Sequence, residues 1–276
     1  MIDIKVTIPI DDKTIVDITP KTDLYELIIS LKNKGVKIIS EDPDNCIISR
    51  KIYEKIFYFY DENIFRGDTL NTYNWTFGKS NNYRLLNILE KENISNNSKV
   101  ALIEKVNCFK HIYHSIGNFT VLERWHKNGE AFCINGSRGT GSLRDSWPLT
   151  LLCIQDYISS YSKLEKNPLK YSFENNKDTI QYFSRYRLSE NGFELFCDDH
   201  YFSPNLYDNK IEYGYVCKSN NGNYEVNLDL FDGLCLEKPL PENIQEIEQY
   251  IERTTKKIVE RGKIILSEYG KSANVT

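Results

Sequence analysis

The chain has no two cysteines spaced as a CxxC pair. Its seven cysteines, at 46, 108, 133, 153, 197, 217 and 235, are odd in number and scattered. That excludes the knuckle spacing of a zinc ribbon or a redox motif, and it reads as reduced thiols in a cytoplasm. Asn-x-Ser/Thr triplets, among them those at Asn74, Asn93, Asn96 and Asn118, are then chemically idle. No apolar run approaches the ~20 residues of a membrane-spanning helix. The first residues, MIDIKVTIPIDDK, alternate and soon meet acid, so they are not expected to be a signal peptide. There is no excess of positive charge. A net charge of −4 argues against gripping nucleic acid through a broad basic surface, because such binding neutralises many phosphates. A local basic pocket stays open. Neither a Walker Gly-Lys-Ser/Thr nor a dinucleotide GxGxxG is present, and there is no repeat or low-complexity tract.

What is there suffices for a core: 276 residues, 40% hydrophobic and 27% charged, is one large domain or two small ones. Ile2, Ile4, Val6, Ile8 and Ile10 alternate with more polar residues, which predicts a strand with one buried face. A return strand follows over 14–18. Asp23 stands three residues before Glu26, a helix-start signature. Leu24, Leu27, Ile28 and Leu31 then share a helical face that Gly35 ends, and 36–39 resumes as a strand. These elements predict a small ββαβ subdomain over 1–50, followed by a main domain over 51–276. Within the latter, 52–60 is aromatic and β-branched and reads as a strand, with a buried helix as the alternative. Residues 65–78 read as an ordered loop, 82–91 and 99–113 as helices, 116–122 as a strand and 147–159 as a helix. The stretch 160–240 reads as short strands and turns, with Asp198-Asp199-His200 in a turn. Arg185 and Arg187 read as a solvated face of a strand or a helix. In the last helix Ile244, Ile247, Ile251, Ile258 and Ile265 form an apolar stripe. Lys256, Lys257, Arg261 and Lys263 are expected to close it and complement its dipole. The fold class predicted is α+β, closed by a long C-terminal helix.

The most informative stretch is 135–145. Gly136, Gly139 and Gly141 let backbone N–H groups converge on an anion. Arg138 and Arg144 add bidentate donors for a phosphate or carboxylate, and Asn135 opens the segment. Asp145 is a natural N-cap, and Pro148 falls in the first turn of the helix that follows. The bland alternative is that Arg138 ties the loop down through carbonyls or an internal carboxylate, and that Arg144 is solvated. Elsewhere His111 and His114 share a helical face and form, with His126, a candidate three-histidine zinc set, against which stands a simple role at a helix C-terminus. Tyr73, Trp75 and Phe77 suit either base stacking or one side of a half-buried strand. Cys133 lies near the loop with no partner histidine fixed by the sequence.

Ile116-Gly117-Asn118-Phe119, then Asn135-x-x-Arg138-Gly139, then Asp145-x-x-x-Leu149-Thr150-Leu151-x-x-Ile154 resemble, in this order, a family of bacterial and phage-associated proteins of unknown function. Ile258-x-x-Arg261-Gly262 matches their C-terminal ends. The resemblance covers residues 60–270, departs at Pro148, where relatives often carry Asp, and implies a role in conflict between bacteria and mobile elements. IGNFTVL, 116–122, is also similar to the IGNLTLL segment of HNH nucleases of modification-dependent restriction enzymes. That resemblance implies catalytic His114, Asn118 and Asn135 beside a divalent metal, although no His-x-x-Pro or paired histidine precedes the motif.

Three functions follow as expectations. The first is a cytoplasmic protein without cofactor or resident metal and without a membrane partner. It recognises a nucleotide or nucleic-acid phosphate through Asn135, Gly136, Arg138, Gly139, Gly141 and Arg144. The second is an HNH-like, metal-dependent nuclease, intact or decayed. The third is a protein-interaction module or inhibitor.

Overall fold

The computed structural model describes residues 6–9, 15–18, 47–71, 82–92, 94–113, 115–123, 133–139, 142–159, 166–228 and 236–273. Along the chain these form β1 (Val6–Pro9), β2 (Ile15–Ile18), α1 (Ile47–Ile56), β3 (Phe65–Thr69), α2 (Asn82–Lys91) and α3 (Asn96–Ile112). A 3-10 turn (Ile116–Asn118) leads into β4 (Phe119–Glu123), followed by α4 (Ile134–Arg138), α5 (Trp147–Ser159), α6 (Lys170–Asn175), α7 (Lys177–Arg187) and α8 (Gly192–Asp199). A second 3-10 turn (Pro204–Tyr207), β5 (Val216–Lys218), β6 (Tyr224–Val226) and α9 (Ile244–Ala273) complete the order. The fold is α+β: helices dominate, the strands pair two by two, and a 30-residue helix stands near the C-terminus. Among the described residues no helix is long and apolar enough to cross a membrane.

The chain divides into two compact units. The first gathers Met1–Ile56, Tyr73–Phe119 and Pro241–Thr276; the second gathers Phe57–Thr72 and Thr120–Leu240. In the first unit β1 and β2 pair antiparallel, Val6 opposite Ile18 and Pro9 opposite Ile15. The helix and strand expected over 23–39 lie outside the described residues. α3 starts at Ser95, whose hydroxyl accepts from the Ser98 N–H at 3.2 Å. It buries Leu102, Val106 and Phe109, and the Phe109 ring meets Tyr250 of α9 at 5.8 Å. On α9, Ile247, Ile258 and Ile265 are buried as the stripe requires.

Two expectations are corrected here. Residues 52–56, read as strand with a buried helix as the alternative, belong to α1 and are helix. Ile52, Tyr53 and Ile56 are all buried, a one-face spacing that only a helix produces, so burial overrode β propensity. The basic residues of α9 do not form its last turn, because the helix runs on to Ala273. Lys257, Arg261 and Lys263 are buried, and burial pushes the Lys257 ammonium well below its usual range.

The role of Arg261 follows from Gly117. A side-chain carbon on Gly117 would lie 1.8 Å from the Ile258 carbonyl oxygen and 2.7 Å from the Gly262 nitrogen, so only glycine lets the two backbones approach this closely. Arg261 Nη1 then donates to the Gly117 and Phe119 carbonyls at 3.1 and 2.5 Å.

In the second unit β3 pairs with β4, and β5 with β6 antiparallel. The core is aromatic. Tyr157 stacks on Phe173 at 4.1 Å, Phe173 meets Phe183 edge-on at 5.3 Å, and Phe183 stacks on Phe196 at 5.7 Å. Tyr157 lies on α5, expected as a helix; the other rings lie on α6 to α8, where the sequence reads as short strands and turns. Asn176 is an N-cap: its side chain accepts from the Thr179 N–H at 3.0 Å and starts α7. Asp198 and Asp199 end α8, with His200 at its C-cap. Residues 65–69, read as loop, form β3.

Candidate functional site

The described residues of the 135–145 segment are not open loop throughout. Residues 134–138 make one turn of helix, capped by Cys133, whose Sγ accepts from the Gly136 N–H at 3.4 Å. Arg138 ends this turn and is fully buried. A guanidinium has five N–H groups, and here each has an internal acceptor. Nε donates to Thr150 Oγ1 at 3.3 Å. Nη1 donates to the Asp68 carboxylate and to the Thr69 carbonyl, the latter at 2.6 Å. Nη2 donates to the Leu70 and Asp145 carbonyls at 2.8 and 3.0 Å. The guanidinium also lies over the Trp147 ring, 5.2 Å from its centre. Burial pushes the Asp68 carboxyl up to about 6, against the pull of Arg138, and the nearby Asp145 adds to the rise.

Arg138 therefore knits α4 to the end of β3 and to the turn before α5. Its own carbonyl accepts from the Asp145 N–H at 2.9 Å, so the two residues are bonded in both directions. Between these ties Arg144 and Asp145 have φ of 48° and 56°, two successive non-glycine residues in the left-handed region. Asp145 is not the N-cap expected of it: α5 starts at Trp147, so Ser146 occupies the cap position. Gly139 is right-handed, with φ of −71°. What its position requires is space, since an added carbon would sit 3.2 Å from Asp145 Oδ1. The N–H groups of Gly136 and Gly139 are both engaged within the segment, to Cys133 Sγ and the Ser137 carbonyl. Asn135, Gly136 and Arg144 are partly exposed. Gly141 lies outside the described residues.

Of the residues tied to nuclease chemistry, Asn118 is fully buried in the first unit and donates its amide to the Tyr113 carbonyl at 2.7 Å. Asn135 stands on α4 of the second unit. His114 lies outside the described residues, as do His126, Tyr73, Trp75 and Phe77. Among the described residues no group of three or more His, Cys, Asp or Glu is arranged to hold a metal ion. Burial pushes the Cys133 thiol up to about 11, which keeps it protonated and a poor nucleophile.

One residue of the second unit was overlooked from sequence. Glu123 ends β4 and is fully buried, and among the described residues neither of its oxygens meets a donor in good hydrogen-bond geometry. Burial pushes its carboxyl up to about 7; its own backbone N–H and the Thr179 hydroxyl lie close enough to lower it, and Asp178 raises it. The available signal was a lone carboxylate closing the otherwise uncharged strand FTVLE, every residue of which is buried.

A raised folded-state pKa has a definite sign. The folded chain holds the proton between the ordinary carboxylate range and about pH 7, while the unfolded chain has lost it. Stability is therefore fully present below the unfolded pKa and is lost as pH rises through the folded one. Glu123→Gln is expected to remove this loss and to be more stable than the native chain at pH 8, by on the order of 2 kcal/mol, with little difference at pH 4.5. Urea denaturation at the two pH values measures it. A variant destabilised equally at both would show that the carboxyl has an unseen donor.

No curated protein and no solved structure matches the chain. A family model, described as a family of unknown function (DUF6994), matches residues 80–265, which take in α3, the Gly117 turn, the whole 135–145 segment and most of α9. With well over half of its length matched, the chain belongs to that family.

Proposed function

We propose that the chain recognises an anionic ligand, a nucleotide or a nucleic-acid phosphate, on the 135–145 segment. Arg144 is the contacting cation and Arg138 the internal strut. The observation that carries this reading is the pair of left-handed residues, Arg144 and Asp145, placed directly before the 13-residue helix α5. Such a backbone costs roughly 1–3 kcal/mol at each non-glycine residue and persists only where its surroundings over-determine it. The Arg138–Asp145 bonds supply that restraint. Strain held at a partly exposed arginine ahead of a helix N-terminus suits an anion, which gains from both the guanidinium and the helix end. A role in conflict between bacteria and mobile elements belongs to the same proposal and rests on the family resemblance.

The test is a thermal-shift screen of the full chain against nucleotides, cyclic dinucleotides, short DNA and short RNA, with Arg144→Gly alongside. Glycine relieves the backbone strain, so the variant is expected to stay folded. It is also expected to lose the ligand-induced rise in melting temperature that mass action gives the native protein. A ligand that shifts both equally binds elsewhere. If no anion shifts the native chain, the reading fails and a co-purifying protein partner becomes the object of search. Cleavage of DNA that needs a divalent metal and stops with EDTA would instead establish the nuclease.

A further inference from the structure

A chain of hydrogen bonds runs from the buried centre of the second unit to its surface. Thr120 Oγ1 lies 2.8 Å from His200 Nδ1. His200 Nε2 is bonded to the Tyr182 hydroxyl, which lies 3.2 Å from the Tyr186 hydroxyl. Tyr186 donates to Asp199 Oδ2 at 3.0 Å. The same oxygen accepts from Arg185 Nη2 at 2.9 Å and from the hydroxyl of the exposed Tyr58 at 3.1 Å. At the inner end Thr120 and His200 are fully buried. Aromatic rings close round the imidazole: Phe196 at 4.4 Å, Phe59 at 5.2 Å and Phe57 at 5.8 Å.

The direction of the chain follows from its far end. A carboxylate only accepts, so the Tyr186 proton points at Asp199. Tyr182 must then donate to Tyr186, and Nε2 must donate to Tyr182. When the imidazole is protonated, Nδ1–H faces the Thr120 hydroxyl and every link is satisfied. We propose that Tyr182 and Tyr186 form a proton relay between His200 and Asp199, which makes His200 an acid–base group open to protons but closed to water. This site is separate from the 135–145 reading.

The step balances without a co-reactant. Nε2–H gives its proton to the Tyr182 oxygen, Tyr182 passes its own to Tyr186, and Tyr186 passes its own to Asp199. The imidazole is left neutral with its proton on Nδ1, both phenols are restored, and the Asp199 acid yields a proton to water. Uptake is the reverse. Burial holds both tyrosine hydroxyls above their usual range, so each phenol hands protons on rather than resting as an ion. Of the charged groups that act on the path, Arg185 also donates to Tyr186, and the charges of Arg185 and Glu123 both act on Tyr182. Histidine suits the inner position because its two nitrogens exchange roles.

The experiment is nitrogen-15 NMR of the full chain, reading exchange of the His200 Nε2 proton with water below the ring's own titration midpoint. It compares the native protein with Tyr186→Phe and Asp199→Asn. Tyr186→Phe removes one link, and Asp199→Asn keeps an acceptor that cannot take up a proton. A relay predicts that either change slows exchange, by at least about tenfold. Exchange through local opening predicts the opposite, because losing a buried bond makes opening more frequent. Slowing in the folded variants supports the relay; equal or faster exchange overturns it. If Tyr186→Phe does not fold, Asp199→Asn alone decides.

Discussion

Arg138→Ala is expected to be among the most destabilising single changes in the second unit, by about 3–5 kcal/mol, the range for removing one partner of a buried ion pair. The side chain is fully buried and engages Asp68, Thr150 and three carbonyls from two separate stretches of chain. Truncation leaves the Asp68 carboxylate facing a cavity, and the Thr69, Leu70 and Asp145 carbonyls lose their donors. Arg138→Lys is expected to recover only a minority of the loss, since an ammonium is a point donor that cannot span acceptors placed around a planar fork. Urea denaturation of both variants measures this. A loss below about 1 kcal/mol in Arg138→Ala would dismiss the strut. The division of labour proposed for the two arginines makes a sharp contrast, because Arg138→Ala removes stability whereas Arg144→Gly removes the ligand from a chain that still folds.

Gly117→Ala is the corresponding change in the first unit. Its new carbon would fall 1.8 Å from the Ile258 carbonyl oxygen and 2.9 Å from the Ile258 carbonyl carbon. These are backbone atoms of α9 and cannot turn aside as a side chain would. The helix must shift, which strains the bonds from Arg261 to the Gly117 and Phe119 carbonyls. Overpacking ordinarily costs about 1–3 kcal/mol, and a clash with rigid backbone puts the expected loss at or above the top of that range. The melting temperature should fall, with earlier proteolysis within α9. A variant as stable as the native chain would show that α9 does not lie this close.

How legible these sites were depended on what each residue was asked to do. Asn135, Gly136, Arg138, Gly139 and Arg144 were picked out because their types suit an anion, and the same types suit an internal tie. A buried guanidinium and a ligand-facing one have the same one-letter signal. What separates them is whether β3 comes within reach, and Asp68 lies 70 residues from Arg138. The relay was invisible for the same reason. Tyr182 and Tyr186 share a face of α7 at i and i+4, but Thr120 on β4 and His200 at the end of α8 have no spacing that connects them to that pair. Glu123 was readable in principle, as a charge within a buried strand, and was passed over.

Helices α2 and α5, the apolar stripe of α9 and the α+β class follow from the sequence alone, because periodic burial and caps act over a few residues and need no distant partner. The choice of helix over strand at 52–56 and the aromatic helices α6 to α8 did not. Their aromatic and β-branched side chains favour strands when exposed on one face, and only packing against other elements makes the helical face the buried one. Tertiary structure alone decided that Gly117 is a contact with α9, that Arg138 is enclosed while Arg144 is not, and that His200 is linked to Asp199 by side chains as well as by sequence. Each of these depends on long-range approach of backbone to backbone or donor to acceptor, which local propensity does not encode.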